Sequence, residues 1–131
     1  MVSIDPISNL FSSIVNGSKS KKYKIIQPKS KKVILILDAL VKEGLIKGYT
    51  FIKNNPNSVS IYLKYYENEP VITKIKRISK QGKQVFIKNK YLYSIKDMNS
   101  ITYLLSTSKG IMTASQAKRY NVGGEFLCEI K

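Results

Sequence analysis

The chain has 131 residues, 43% of them hydrophobic, and a formal net charge of +15 at pH 7. That is enough apolar material for a folded core, with no run long enough to span a membrane, and a field that makes a polyanion the expected partner. With no histidine and a single cysteine, Cys128, the chain lacks the usual general base, an intrachain disulfide and the Cys/His sets that hold zinc, so no metal, cofactor or small-molecule substrate is expected.

Asp5 followed by Pro6 reads as an N-cap with proline in the first helical position, and Ile7, Leu10, Phe11 and Ile14 then recur on one helical face. Asn16-Gly17 is expected to stop that helix. "YKIIQP" reads as a short strand. A second helix is predicted from Ser30 to Glu43, before Gly44; "VILIL" is β-branched, but its length and the two end signals favour helix. "LIKGYTFIK" and "SVSIYLKYY" alternate like the arms of a hairpin around "NNPN". This makes an αβαββ lobe over 1–68, and the polar, Pro-containing "ENEP" at 67–70 is the expected boundary.

In the second lobe, 69–131, "VITKIKRISK" alternates apolar and basic residues, "QGK" can turn, and "QVFIK" is expected to pair back as the other arm of a hairpin. "YLYSIKDMNS" stays open. "SITYLLSTS" is a strand leading into a short helix, with Thr113 as N-cap and Gln116 at the capping-box spacing; "GGEFLCEIK" closes as an alternating strand. The expected class is α+β, with two small lobes, the second mostly β with one short helix.

Of the 23 basic residues only Arg77 and Arg119 are arginine. Lysine offers phosphate a compact point charge without the fork that reads base edges, so affinity and base reading must come from different groups. Ile, Lys, Asn and Tyr, which number 18, 21, 9 and 9, all have A- and T-rich codons, so an AT-rich genome, often an organellar one, accounts for the lysine bias. A mitochondrial ribosome is the expected setting, with a plastid-type organelle or the bacterial cytoplasm as alternatives. "MVSIDPISNL" carries neither a secretory apolar core nor an Arg-rich transit pattern, so the protein is expected to work where it is made.

The stretch "STSKG", Ser106 to Gly110, places three hydroxyls, a lysine and a glycine after a strand. As a nucleophile site it lacks a histidine, and as a phosphate loop it lacks the GxxxxGK[ST] spacing. A catalytic reading would need Lys109 as base beside Ser106 or Ser108, with nothing to depress its pKa among so many cations. Two readings remain: a solvated turn, or small hydroxyls that enter the wide, shallow minor groove of RNA and bond 2′-hydroxyls or base edges. No helix has the lysine-rich polar face of a membrane-surface segment.

"STSKGIMTASQAKRYNVGGEFLCEIK" resembles the C-terminal signature of the small-subunit ribosomal protein S8 family, and "DPISNLFSSIVNG", "QPKSKK", "KEGLI", "LKY" and "IKRISKQGKQVF" extend the resemblance over essentially the whole chain. It implies a two-lobed α+β protein that binds small-subunit rRNA, touches neighbouring ribosomal proteins and catalyses nothing, the C-terminal lobe docking an irregular helix of the central domain. The contact loop is then Ser106, Thr107, Ser108, Lys109 and Gly110. Glu125 resembles the family's nearby carboxylate, which accepts from a base amino group or holds the loop, and otherwise neutralises lysines. Asn16, Ser30 and Lys31 match positions that approach a second part of the rRNA; Asn16 also reads as a helix C-cap, Ser30 as an N-cap and Lys31 as solvated surface.

The chain departs from the family where Ser13 and Val15 replace arginines, Phe86 replaces tyrosine and Gln81 replaces a common proline. Phe86 either stacks on a base or is core. Cys128 reads as a buried thiol, and "IYLKYY" as strand packing before base stacking. The alternative function is a basic RNA-binding protein outside the ribosome, such as a translational repressor.

Overall fold

In the computed structural model, which describes residues 6–80, 82–92, 94–95 and 100–131, Ile7, Leu10, Phe11 and Ile14 form the buried stripe of the first helix, α1 (Pro6–Lys19). Asp5, the expected cap, lies outside the described residues. The helix runs through Asn16-Gly17 instead of stopping there. A Cβ on Gly17 would lie 2.7 Å from Ile25 Cγ2 and 3.0 Å from Leu63 Cδ1, so this glycine serves close packing and not a left-handed cap. The cap is Lys21, at φ +54°. Its N–H donates to the Ser18 carbonyl (3.1 Å) and that of Lys22 to Gly17 (2.9 Å), the two bonds of a Schellman ending. A left-handed lysine costs roughly 1 kcal/mol or more, of which glycine returns a part as its larger entropy loss on folding. Lys21→Gly should therefore raise stability by about 0.5 kcal/mol. A denaturant midpoint that stays put or falls would contradict this ending.

The chain divides into two units, Met1–Thr73 and Lys74–Lys131. In the first, α1 is followed by β1 (Lys24–Pro28), α2 (Lys31–Lys42), β2 (Ile46–Ile52) and β3 (Asn55–Leu63). Ser30 starts α2 as predicted, its hydroxyl accepting from the Val33 N–H at 3.2 Å. Burial of Val33, Ile36, Leu37, Ala39 and Leu40 outweighs the weak helix propensity of "VILIL".

The strands form an antiparallel sheet in the order β1-β3-β2. Its inner face carries buried Ile25, Ile46, Val59, Ile61 and Leu63. Gln27 donates to the Ser13 hydroxyl (2.6 Å) and Tyr49 to the Asp38 carboxylate (2.6 Å), which ties that face to α1 and α2. The rows Lys24–Tyr62–Gly48 and Ile26–Ser60–Thr50 point the other way. The β2–β3 turn is tighter than the sequence suggests: Lys53 and Asn54 make it, and Asn55-Pro56 already belongs to β3. After it, β4 (Tyr65–Tyr66) pairs with β5 (Glu69–Pro70). Their turn residues Glu67 and Asn68 sit at φ +50° and +66°, the left-handed pair of a type I′ hairpin, so "ENEP" is a turn and strand end.

The second unit contains β6 (Ile75–Arg77), β7 (Phe86–Ile87), α3 (Asn89–Leu92), β8 (Thr102–Thr107), β9 (Gly110–Thr113), α4 (Ala114–Tyr120) and β10 (Gly124–Ile130). The strand order is β6-β10-β8-β9, with β7 also on β10. The expected hairpin around "QGK" is reduced to its end: both segments lie on the edge of β10, and among the described residues the arms meet at the bridge Lys80–Lys83 and at Ser79 and Val85. Buried Ser79 explains the detour. Its hydroxyl accepts from the Val85 N–H (2.7 Å) and donates to the Val85 carbonyl (3.1 Å). The N–H groups of Ile78 and Ser79 donate to Leu127 and Phe126, while that of Phe126 donates to Val85. Backbone demand in this segment is met by β10. Gln81 and most of "SIKDMNS" fall outside the described residues.

The Thr113/Gln116 capping box forms as read, and α4 ends on Asn121 at φ +54°. Leu92, Leu105, Met112, Ala114 and Ala117 make a buried cluster between α3, α4 and the sheet. The class is α+β, αβαββ first and a β-rich part with α4 and the single turn of α3 second.

Candidate nucleic-acid interface

The stretch from Ser106 to Gly110 is the closed end of the β8–β9 hairpin. Thr107 pairs with Gly110, leaving Ser108 and Lys109 as the turn and Gly110 at φ +107°. The Thr107 hydroxyl is occupied: it donates to the Gly110 carbonyl (2.8 Å) and accepts from the Lys109 N–H (3.1 Å). Ser106 and Ser108 have no hydrogen-bond partner for their hydroxyls among the described residues. One hydroxyl therefore builds the turn and two are left to face outward chemistry.

The cross-strand registers place residues distant in sequence side by side. Phe86 opposes Glu125, Glu125 opposes Ser106, and Ser106 opposes Ile111, a single row across β7, β10, β8 and β9 whose side chains share a face. Phe86 is 68% exposed, which rules out its reading as core and leaves an aromatic face free beside a carboxylate and a hydroxyl. Such a row can stack on one base, accept from an amino group and bond a ribose hydroxyl.

Lys109 lies with its ammonium 5.2 Å from the ring centroid of Tyr120, at the end of α4. This cation–π contact ties the lysine of the turn to the helix that follows the hairpin. Tyr120 escaped the sequence reading, because nothing local marks a partner supplied by the helix that follows the hairpin. Lys74, Lys76, Lys80 and Lys83 are all exposed, so the lysines of "TKIKRISKQGK" are available to phosphate.

Two glycines set this geometry. A Cβ on Gly124 would lie 2.2 Å from the Ser106 carbonyl oxygen, and one on Gly123 would lie 2.4 Å from that of Ile87. Their bare backbones let β10 come close enough to carry Glu125 between Phe86 and Ser106.

In the first unit, exposed Asn16 lies within α1, which sets aside its reading as the C-cap. It lines a groove of about 440 Å³ with Ser13, Ser20, Lys22, Lys24 and the outer edge of β1. Ser30 is occupied as N-cap, and Lys31 is exposed in the first turn of α2. Cys128 is fully buried, and burial pushes its thiol up to about 12, the mark of an inert packing residue. Among the described residues no group of Asp, Glu and Cys could hold a metal, and no helix is long and apolar enough to cross a membrane.

Unpaired hydroxyls, an exposed ring and a carboxylate set in a lysine field are the parts with which basic α+β proteins read RNA, and this is the class to which fold and surface assign the chain. The family model for ribosomal protein S8 matches residues 5–130. The chain is 39% identical over 132 residues to the small ribosomal subunit protein uS8 of Rhizobium leguminosarum bv. trifolii, with 99% of each chain covered. It is 37% identical over 127 residues to the protein of that name from Zymomonas mobilis subsp. mobilis, with 96% of each covered. For that of Wigglesworthia glossinidia brevipalpis the identity is 40% over 127 residues, with 97% of each covered. The chain belongs to the ribosomal protein S8 family.

Proposed function

We propose that the protein is a structural constituent of the small ribosomal subunit, where it binds small-subunit rRNA directly, meets neighbouring ribosomal proteins and supports assembly without catalysing a reaction. The observation that carries this is the row Phe86–Glu125–Ser106 beside the hairpin turn, in a chain that matches the family from residue 5 to residue 130. The C-terminal lobe, 69–131, docks the RNA helix through Ser106, Ser108, Lys109, Glu125 and Phe86, with Thr107 and Gly110 shaping the turn. In the first lobe, 1–68, Asn16 and Lys31 approach a second part of the rRNA and Ser30 orients Lys31. The excess of lysine over arginine supports the ribosome of an AT-rich organelle, a mitochondrion first, although the relatives named above are bacterial.

The protein is expected to co-sediment with small subunits and to stay bound when salt has stripped proteins held mainly by phosphate contacts. Recovery only in ribosome-free fractions would overturn the proposal. Crosslinking in the native particle, with sequencing of the attached RNA, identifies the ribosome and hence the compartment.

A further inference from the structure

The N-terminal sheet has one face covered by α1 and α2. On the opposite face the two outward rows bring together Lys24, Tyr62, Ile26 and Thr50 from all three strands around a buried Ser60, with Lys24, Ile26 and Thr50 exposed and Tyr62 half-buried. Tyr23, at the head of β1, is 66% exposed and Ile26 is 56% exposed. The Tyr23 ring stands edge-on to Tyr62 at 5.5 Å, and the Lys47 ammonium sits 5.5 Å from the Tyr23 centroid. Thr50 donates to the Tyr62 hydroxyl at 3.4 Å, which fixes the second ring on the central strand. None of the residues in these outward rows is a carboxylate.

We propose that this open sheet face is a platform for an unpaired stretch of RNA, with a base stacked on Tyr23 against Tyr62 and with Lys24 and Lys47 on the flanking phosphates. Aromatic rings interleaved with lysines on a sheet are the composition that single strands select, since every base offers a π-face and every linkage a charge. A protein partner is disfavoured because lysine is depleted at the centres of protein interfaces, and here two lysines flank the rings. Paired RNA is disfavoured because its bases are already stacked on each other. Lys24 and Ile26 also line the groove beside Asn16, whereas Tyr23, Tyr62 and Lys47, which define the platform, do not. It rests on the reading that RNA is the partner, and it does not rest on the hydroxyl hairpin.

The test uses the full-length protein and a short oligouridylate, with affinity followed by anisotropy and ultraviolet crosslinks mapped by mass spectrometry. Tyr23→Ala should lose affinity on the order of tenfold, the usual effect of removing one stacking ring, while Tyr23→Phe keeps it because the ring is retained. Crosslinks should fall at Tyr23 or Tyr62. Tyr66→Ala, which removes an equally exposed ring on β4 outside the platform, should bind the oligouridylate like the unaltered protein; the hairpin reading is tested on the cognate rRNA helix, so its failure would leave the Tyr23 result standing. If Tyr23→Ala binds as well as the unaltered protein, or crosslinks fall only within 74–131, the platform is refuted. A protein seated on this face in the native particle, with no RNA crosslink there, refutes it equally.

Discussion

Gly124→Ala should destabilise the protein by about 3 kcal/mol, at the upper end of what overpacking costs, and should disable the candidate interface with it. The added carbon would lie 2.2 Å from the Ser106 oxygen, 2.9 Å from the Ser106 carbonyl carbon and 3.1 Å from the Thr107 Cα. All three are backbone atoms of the neighbouring strand, so no side chain can rotate away; β10 must move off β8. That separates Glu125 from Ser106, the pair that the register holds opposite each other. Gly48→Ala is the matched control, because a Cβ there meets nothing within 4 Å and Gly48 does not sit at positive φ. It should stay within about 0.5 kcal/mol of the original. Guanidinium unfolding of both variants decides the matter: equal midpoints would mean that the close approach of β10 and β8 is not needed.

The same glycine shows what the sequence makes legible. The "GGE" triplet stands out as part of a family signature, but its reason is a distance to another strand, and distances between strands are not written locally. Features whose partners lie within a turn were legible: Ser30 capping through Val33, the Thr113/Gln116 box and the apolar stripe of α1. Features that depend on a distant partner were not. Period-two alternation marked the segments around "QGK" as strands, yet it carries no information about pairing: the edge of β10 takes up both, and the Ser79 hydroxyl, bonded to Val85, stands in for a backbone ladder between them. Asn16-Gly17 read as a stop because glycine favours left-handed caps, whereas Ile25 and Leu63 claim Gly17 for packing and Lys21 takes the strained position. Alternation likewise told that Phe86 faces one way, without telling whether anything covers that face.

Removing the hydroxyl of Ser106 or Ser108 should weaken binding to the cognate rRNA helix by roughly 1 to 2 kcal/mol, about tenfold, and leave other RNA almost unaffected. Neither hydroxyl has a partner among the described residues, so their loss breaks no bond there, and the cost arises from an RNA group left unpaired in the complex. Neither carries charge, so the slope of log affinity against log salt should not change. The lysines must behave in the opposite way. Replacing Lys76, Lys80 or Lys83, all exposed, should weaken cognate and scrambled RNA alike and reduce that slope by up to about 1, since each releases at most one condensed counterion. Thr107→Val separates turn building from reading. Its hydroxyl bonds Gly110 and the Lys109 N–H, so its loss should appear as faster amide exchange at Lys109. The measurement is a salt series on cognate and scrambled helices for each variant, with folding checked by denaturation. If Ser106→Ala and Ser108→Ala weaken both RNAs equally, the hairpin is a general backbone clamp. If they weaken neither, the turn is only solvated surface, and recognition must lie with Phe86 and Glu125 on the row beside it.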